Sequence, residues 1–435
     1  MFRPFLTDLD SRAAVKGSRD PLGIQGLWTG LGRHVVGNLT TVSTSVRDFT
    51  TLLLGYWFAE QVAEVSGPGT ELATFLKWEQ LAAYTRGHVN GDWSFRGTER
   101  AKQRLSESTR VRLSADRAEQ ILGNQKIYGL WGLYTVPSQS SGLLNGQPSR
   151  LTPPARELLE RVHWPQLARA GFRDGNAIIE LLGQERVAFD FGGRHQRIAG
   201  VVGLMLNPKL KSIERQFYRK HLLEGGPDDR TERRQLQLVD LLERHFAEGS
   251  FPWIPRAVLS LSREAALRGE AWSGLAWRLE RIAVAEAVLA PVAALFIYLL
   301  GCHGVAVPEL ARRIESDWGK RVASVNAAAF AQLEPELAHG ETEVGRRWTT
   351  IAAALAQGDY AALIRLLMEQ NRHVMQVRGN AGQWIEERGK KLDVRMQDER
   401  GQLPQRTALP DLWRHSYFVD SLFAVGTALH ETTHE

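Results

Sequence analysis

Residues 282–300 read IAVAEAVLAPVAALFIYLL, and how that run is understood decides the class of fold. At about 1.5 Å of rise per residue it is long enough to cross a bilayer. Yet it carries Glu286, Pro291 and several alanines, a composition that suits a buried core helix better than lipid. Extended back to residue 272, the helical pattern continues as one long helix. Working outward, apolar residues recur at three- and four-residue spacing over 71–85, 230–247, 309–317, 324–333 and 360–377, the signature of amphipathic helices. Strand-like alternation is confined to 186–191 and to the flanks of Asn145-Gly146. The expectation is a mainly α, multi-helical protein with short β hairpins, without repeats at solenoid periods.

The composition agrees with a packed interior. The chain has 435 residues, 43% hydrophobic, with 40 glycines, which excludes disorder, collagen and coiled coil as descriptions of the whole and leaves room for two or three domains. A single cysteine, Cys302, excludes an intramolecular disulfide or a cysteine-based zinc site. It directly follows the most apolar helix and reads as a buried thiol, and the expected compartment is the cytoplasm. The first residues, Met1-Phe2-Arg3-Pro4, lack the basic-then-apolar order of a signal peptide, and no membrane partner is expected. The net charge is +5, from 54 Lys and Arg against 49 Asp and Glu, with arginine dominant. Arginine forks onto phosphate better than lysine, so the charge permits a nucleic-acid partner without requiring one.

Punctuation by proline and glycine divides the chain into an N-terminal helical region over 1–165, a central helical domain over 166–340 and a C-terminal helical region over 341–435. Trp164-Pro165 closes the first part. Breaks also fall at 225–229, where Thr231 follows as a helix N-cap, and at 249–255. Prolines within 401–410 precede a last helix beginning near Leu412.

The most informative local order lies between Ser114 and Arg161. Ser114 can cap a helix through Leu122, Gly123-Asn124 supplies a turn, and a second helix fits 125–134. After the polar run 136–141 comes Asn145-Gly146, the favoured pair for a type I′ hairpin turn. Thr152-Pro153-Pro154 then opens a helix over 155–162. Helix, turn, helix, hairpin, helix resembles a winged helix-turn-helix. Carried over by position, the resemblance implies that Gln125, Lys126 and Tyr128 approach base edges, while Ser138, Gln139 and Arg150 contact phosphate. The sequence departs from that family in its second helix, which is apolar and holds Gly129 and Gly132, a face suited to packing.

Two further regions mix basic and aromatic residues. Lys209, Lys211, Arg215, Arg219 and Lys220 surround Phe217 and Tyr218, and Arg378 through Lys390 and Lys391 frames Trp384. Such faces follow a phosphate backbone or stack on a base, or are simply solvated. No string names a reaction, and no catalytic residue, metal or cofactor is assigned. His430-Glu431-Thr432-Thr433-His434 spells H-E-x-x-H, which on a helix can share a zinc, and a zinc-dependent hydrolase remains the enzymatic alternative. Cys302 and His303 are adjacent in sequence, a poor geometry for a nucleophile and its base. The glycines at 23–37 form no nucleotide loop, and Asp190 lacks the clustered carboxylates and lysine of a metal nuclease.

The opening Asp20-Pro21-Leu22-Gly23-Ile24, the serine- and threonine-rich segment 38–49, and Lys126-Ile127-Tyr128 with Leu130-Trp131-Gly132 together resemble helical proteins encoded in bacterial antiphage defence islands. The resemblance covers the first 145 residues and implies an accessory subunit beside a helicase, nuclease or ATPase. It leads to the expectation of a non-enzymatic DNA-binding or scaffolding subunit. The alternative from another class is a helical interaction protein without nucleic-acid contact.

Overall fold

A computed structural model describes residues 20–169, 175–337, 342–379 and 382–430. Helices dominate, with three antiparallel strand pairs among the described residues. The chain forms two compact units, one of residues up to Val35 with Phe251–Tyr417, the other of Val36–Ser250 with the residues from Phe418 onward. The boundaries expected near 165 and 340 are not edges of these units.

The first unit is built around the Ser273–Leu300 helix. Its most apolar window is 72% buried, and the antiparallel Pro255–Leu267 helix and the Ile24–Arg33 helix pack on it. Glu286 lies at its centre with no exposed surface. The carboxylate accepts the backbone N–H of Arg414 (2.5 Å) and His415 (3.2 Å), and the Tyr417 hydroxyl (2.9 Å), while His415 Nδ1 stands 2.8 Å away. These bonds explain a departure from expectation. The last helix does not begin near Leu412, because residues 412–416 run as an irregular strap pinned to the long helix and Tyr417 turns the chain with φ 45°. A 3-10 turn, Arg406–Asp411, precedes the strap, and the helix itself runs Val419–Leu429. Farther along, Val307–Trp318 packs on Tyr360–Val377, whose first turn is capped by Asp359 (3.0 Å to Ala362 N). The hairpin Ile385–Arg388 with Lys391–Val394 pairs Ile385 opposite Val394.

In the second unit the Val46–Ser66 and Glu71–His88 helices form the core pair, buried on nearly every side. All-round burial explains why charged groups there are tied to one another. Arg86 bridges Asp48 (2.5 Å) and Asp92 (2.8 Å), and the buried Lys77 ammonium caps the Asn176–Gly183 helix by donating to the Leu182 and Gln184 carbonyls. The Val419–Leu429 helix packs on Arg234–Glu248. Thr231 sits just before that helix, and its Oγ1 accepts Gln235 N–H at 3.1 Å.

The segment resembling a winged helix follows a different order. Ser114 ends a strand, Arg110–Ser114, which pairs antiparallel with Arg186–Asp190, and residues 115–124 turn without forming the expected first helix. The expected second helix is two, Gln125–Tyr128 and Leu130–Ser140. Gly129 breaks them in an extended conformation while Glu79 Oε1 accepts Leu130 N–H at 2.7 Å and so caps the second. The polar run after 136 belongs to that helix. The hairpin Leu144–Asn145 with Arg150–Leu151 exists, but its loop spans 146–149, so Asn145-Gly146 are not the two central residues of a tight turn. The Pro153–Val162 helix begins as its prolines require.

Candidate functional site

The residues singled out for DNA contact fall in separate places. Gln125 is fully buried. Its amide donates to Leu76 O (2.9 Å) and Glu79 Oε2 (2.8 Å), and its Oε1 accepts from Gln80 (3.2 Å). It is a core crosslink and has no surface with which to read a base. Ser138 is buried as well. Lys126 and Tyr128 are exposed on the short helix, and Gln139 ties down the hairpin loop through Ser149 Oγ (2.9 Å) beside the exposed Arg150. In the other unit Arg378 anchors Asp20, donating to its carbonyl (2.5 Å) and its carboxylate (3.1 Å). Lys390 occupies the hairpin turn with φ 68°, a backbone region that L residues adopt seldom.

Lys209 and Lys211 are the exception, because the fold brings them to a cavity of about 650 Å³ together with residues distant in sequence. Arg47, Gln166, Asn207 and Glu214 share its lining. Arg47 lies in the first turn of the Val46–Ser66 helix, which Ser45 caps by accepting Asp48 N–H (3.3 Å). Its side chain is only 6% exposed and pairs through Nη1 with Glu214 Oε1 at 2.7 Å. Glu214 is on the Ser212–Tyr218 helix, where its other oxygen accepts the Lys211 backbone N–H (2.9 Å). Lys211 Nζ donates to Val162 O at 3.0 Å, and Asn207 Oδ1 accepts Lys209 N–H at 2.9 Å, which fixes the loop between them. Arg215, next on the helix, is half-buried and does not line the cavity.

The electrostatics favour an anion. Burial would raise the Glu214 carboxyl, but neighbouring His163, the Arg47 guanidinium and the Lys211 N–H together hold it down to about 2. It is therefore ionised at neutral pH and already matched by Arg47. Burial lowers His163, whose Nε2 stands 3.5 Å from Glu214 Oε1, so this ring is neutral at pH 7. Of the charged lining groups, Arg47, Lys209 and Lys211 then face one carboxylate. Lys209 and Lys211 were legible as a basic cluster. Arg47, Gln166 and Glu214 were not, since only folding brings residues so far apart in the chain together.

Among the described residues no group of histidine, cysteine or acidic side chains is arranged to hold a metal. The Val419–Leu429 helix ends before His430, which is extended, with its Nδ1 3.7 Å from Glu243 Oε1. Glu431 and His434 lie outside the described residues. Cys302 is buried, which raises its thiol, and it donates to Tyr298 O (3.4 Å), while His303 Nδ1 accepts Val394 N–H (3.0 Å). The two side chains are thus engaged with different partners. Asp190 is held by Arg110 at 2.8 Å and turns the chain after its strand. No protein-family model, curated protein or solved structure matches the chain, so the chemistry of the site rests on its own residues.

Proposed function

We propose that the protein is a non-enzymatic DNA-binding subunit, acting beside a helicase, nuclease or ATPase in a multigene bacterial antiphage defence system. The defence context rests on the N-terminal resemblance. The DNA contact rests on one observation, the convergence of Lys209, Lys211 and buried Arg47 on a single cavity where the one carboxylate among the described lining residues is already paired. Phosphate contacts supply sequence-independent affinity, each releasing condensed counterions. Lys126 and Arg150 are secondary contacts in this reading. A scaffolding role without DNA is favoured instead by Ile127 and Tyr128, about half-exposed side by side on a short helix, where an apolar pair suits a protein partner.

The test is binding of the full chain to labelled duplex and single-stranded DNA, with Lys209→Ala/Lys211→Ala and Lys126→Ala/Arg150→Ala beside the wild type. The first double variant is expected to lose at least about tenfold in affinity, since hydrogen bonds to charged groups contribute roughly 1.5–3 kcal/mol each. Absence of binding at low salt overturns the DNA reading and leaves the scaffold.

A further inference from the structure

We infer that the cavity at Arg47, Lys209 and Lys211 is a binding site for a nucleoside phosphate, supplied either as the phosphorylated end of a DNA strand or as a free nucleotide. The strand-end source rests on the DNA-binding reading above, whereas the free nucleotide does not need it.

Arg47 is the first argument. Its side chain is more than nine-tenths buried, and Nη1 reaches Glu214 (2.7 Å) and Thr50 Oγ1 (3.3 Å). Its Nε is enclosed and, among the described residues, has no hydrogen-bond partner. What Arg47 brings to the cavity it lines is therefore the charge that balances Glu214 and keeps that carboxylate from repelling an anion there.

The second argument is the remaining lining. Lys209 is exposed, and Lys211 Nζ has one acceptor among the described residues for its three donors, so both ammonium groups are available to a phosphate carrying two charges. Leu204, Met205 and Leu210 give the cavity an apolar wall, with Leu204 62% exposed, while Gln166 and Asn207 bring amide groups to the same space. Cations, apolar side chains and a few amides in one lining match the three parts of a nucleotide: phosphate, base face and base edge. The volume, about 650 Å³, falls within the roughly 300–1,000 Å³ of small-molecule sites. Inorganic phosphate alone leaves the wall and the amides without a role.

The experiment has two independent arms, each on the full chain. In one, anisotropy compares a short single strand bearing a 5′-phosphate with the same strand ending in a 5′-hydroxyl. In the other, calorimetry titrates deoxyadenosine monophosphate, with deoxyadenosine as control. The inference expects at least one arm to show phosphate-dependent binding, with about a tenfold preference or more over the phosphate-free partner. It also expects that effect to be lost in Lys209→Ala/Lys211→Ala and reduced in Arg47→Lys. The lysine variant lies on exposed side chains, so a thermal melt matching the wild type keeps its result separate from misfolding. A 5′-phosphate preference assigns the strand end, and nucleotide binding alone assigns the free ligand and counts against the DNA reading. Equal binding of both strands with no nucleotide heat overturns the inference while leaving backbone binding intact, and so does a phosphate effect that survives Lys209→Ala/Lys211→Ala.

Discussion

Glu79 and Glu214 are both buried carboxylates, yet their surroundings drive them in opposite directions. Burial raises Glu79 to about 7 even though Leu130 N–H and Gln125 donate to it. A folded-state value above the unfolded one means that the folded chain holds the proton more tightly, so stability falls as pH climbs from about 4.5 to 7. Each unit of difference is about 1.4 kcal/mol, which puts the loss on the order of 3 kcal/mol. Urea unfolding at pH 5 and pH 7.5 is expected to show a smaller difference in Glu79→Gln than in the wild type. Glu214 has the reverse sign. Held down to about 2 beside His163 and Arg47, it contributes stability that is complete above its unfolded value and drains away as pH falls from about 4.5 toward 2. Glu214→Gln is expected to be less stable at pH 7 and to have a flatter acid limb in the same measurement. An unchanged acid limb would show that the pair with Arg47 contributes nothing.

Two elements depend on single close approaches. Gly55 sits in the Val46–Ser66 helix where a Cβ would come within 2.6 Å of the Phe75 ring and 2.8 Å of Trp78. Alanine normally improves a helix interior by up to about 1 kcal/mol over glycine. Here overpacking dominates, and Gly55→Ala is expected to lower stability by about 1–3 kcal/mol, read from the urea midpoint. The Arg414–Tyr417 strap depends on Glu286 in the same way. Glu286→Ala strands two backbone N–H groups and a tyrosine hydroxyl, and is expected to cost about 3 kcal/mol or more. Glu286→Gln keeps an oxygen for the backbone donors and should lose less. Equal losses would assign the effect to packing alone. The same elements show what a single sequence conveys. Helices such as Tyr360–Val377 were legible because the apolar spacing is local. The strand Arg110–Ser114 was not legible, because its partner, Arg186–Asp190, lies far along the chain. Gln80 also pins its end at Ser114 N–H (3.1 Å), so the serine that resembled a helix cap instead closes a ladder. The strap was missed for a similar reason, since nothing local reveals that Glu286 takes the N–H groups a helix would have used.

At the scale of the whole chain, apolar spacing identified a helical protein with an apolar core helix, and 282–300 is indeed core in its unit. It did not reveal that residues before Val35 and those from Phe251 to Tyr417 form one unit, because that closure is made by contacts between distant segments. The candidate site was legible in half. Lys209 and Lys211 stood out as charges among aromatics, whereas Gln125, which looked like a reading residue, is a core crosslink, and Arg47, hidden in a serine- and threonine-rich helix start, supplies the buried cation. The central claim is that these cations hold the phosphates of DNA, and the salt dependence of DNA affinity tests it most directly. For the wild type, log K against log salt concentration should fall steeply. In Lys209→Ala/Lys211→Ala the slope should be shallower by about two, one for each lost phosphate contact. Binding that is absent at low salt, or a slope unchanged by the double substitution, would contradict the account.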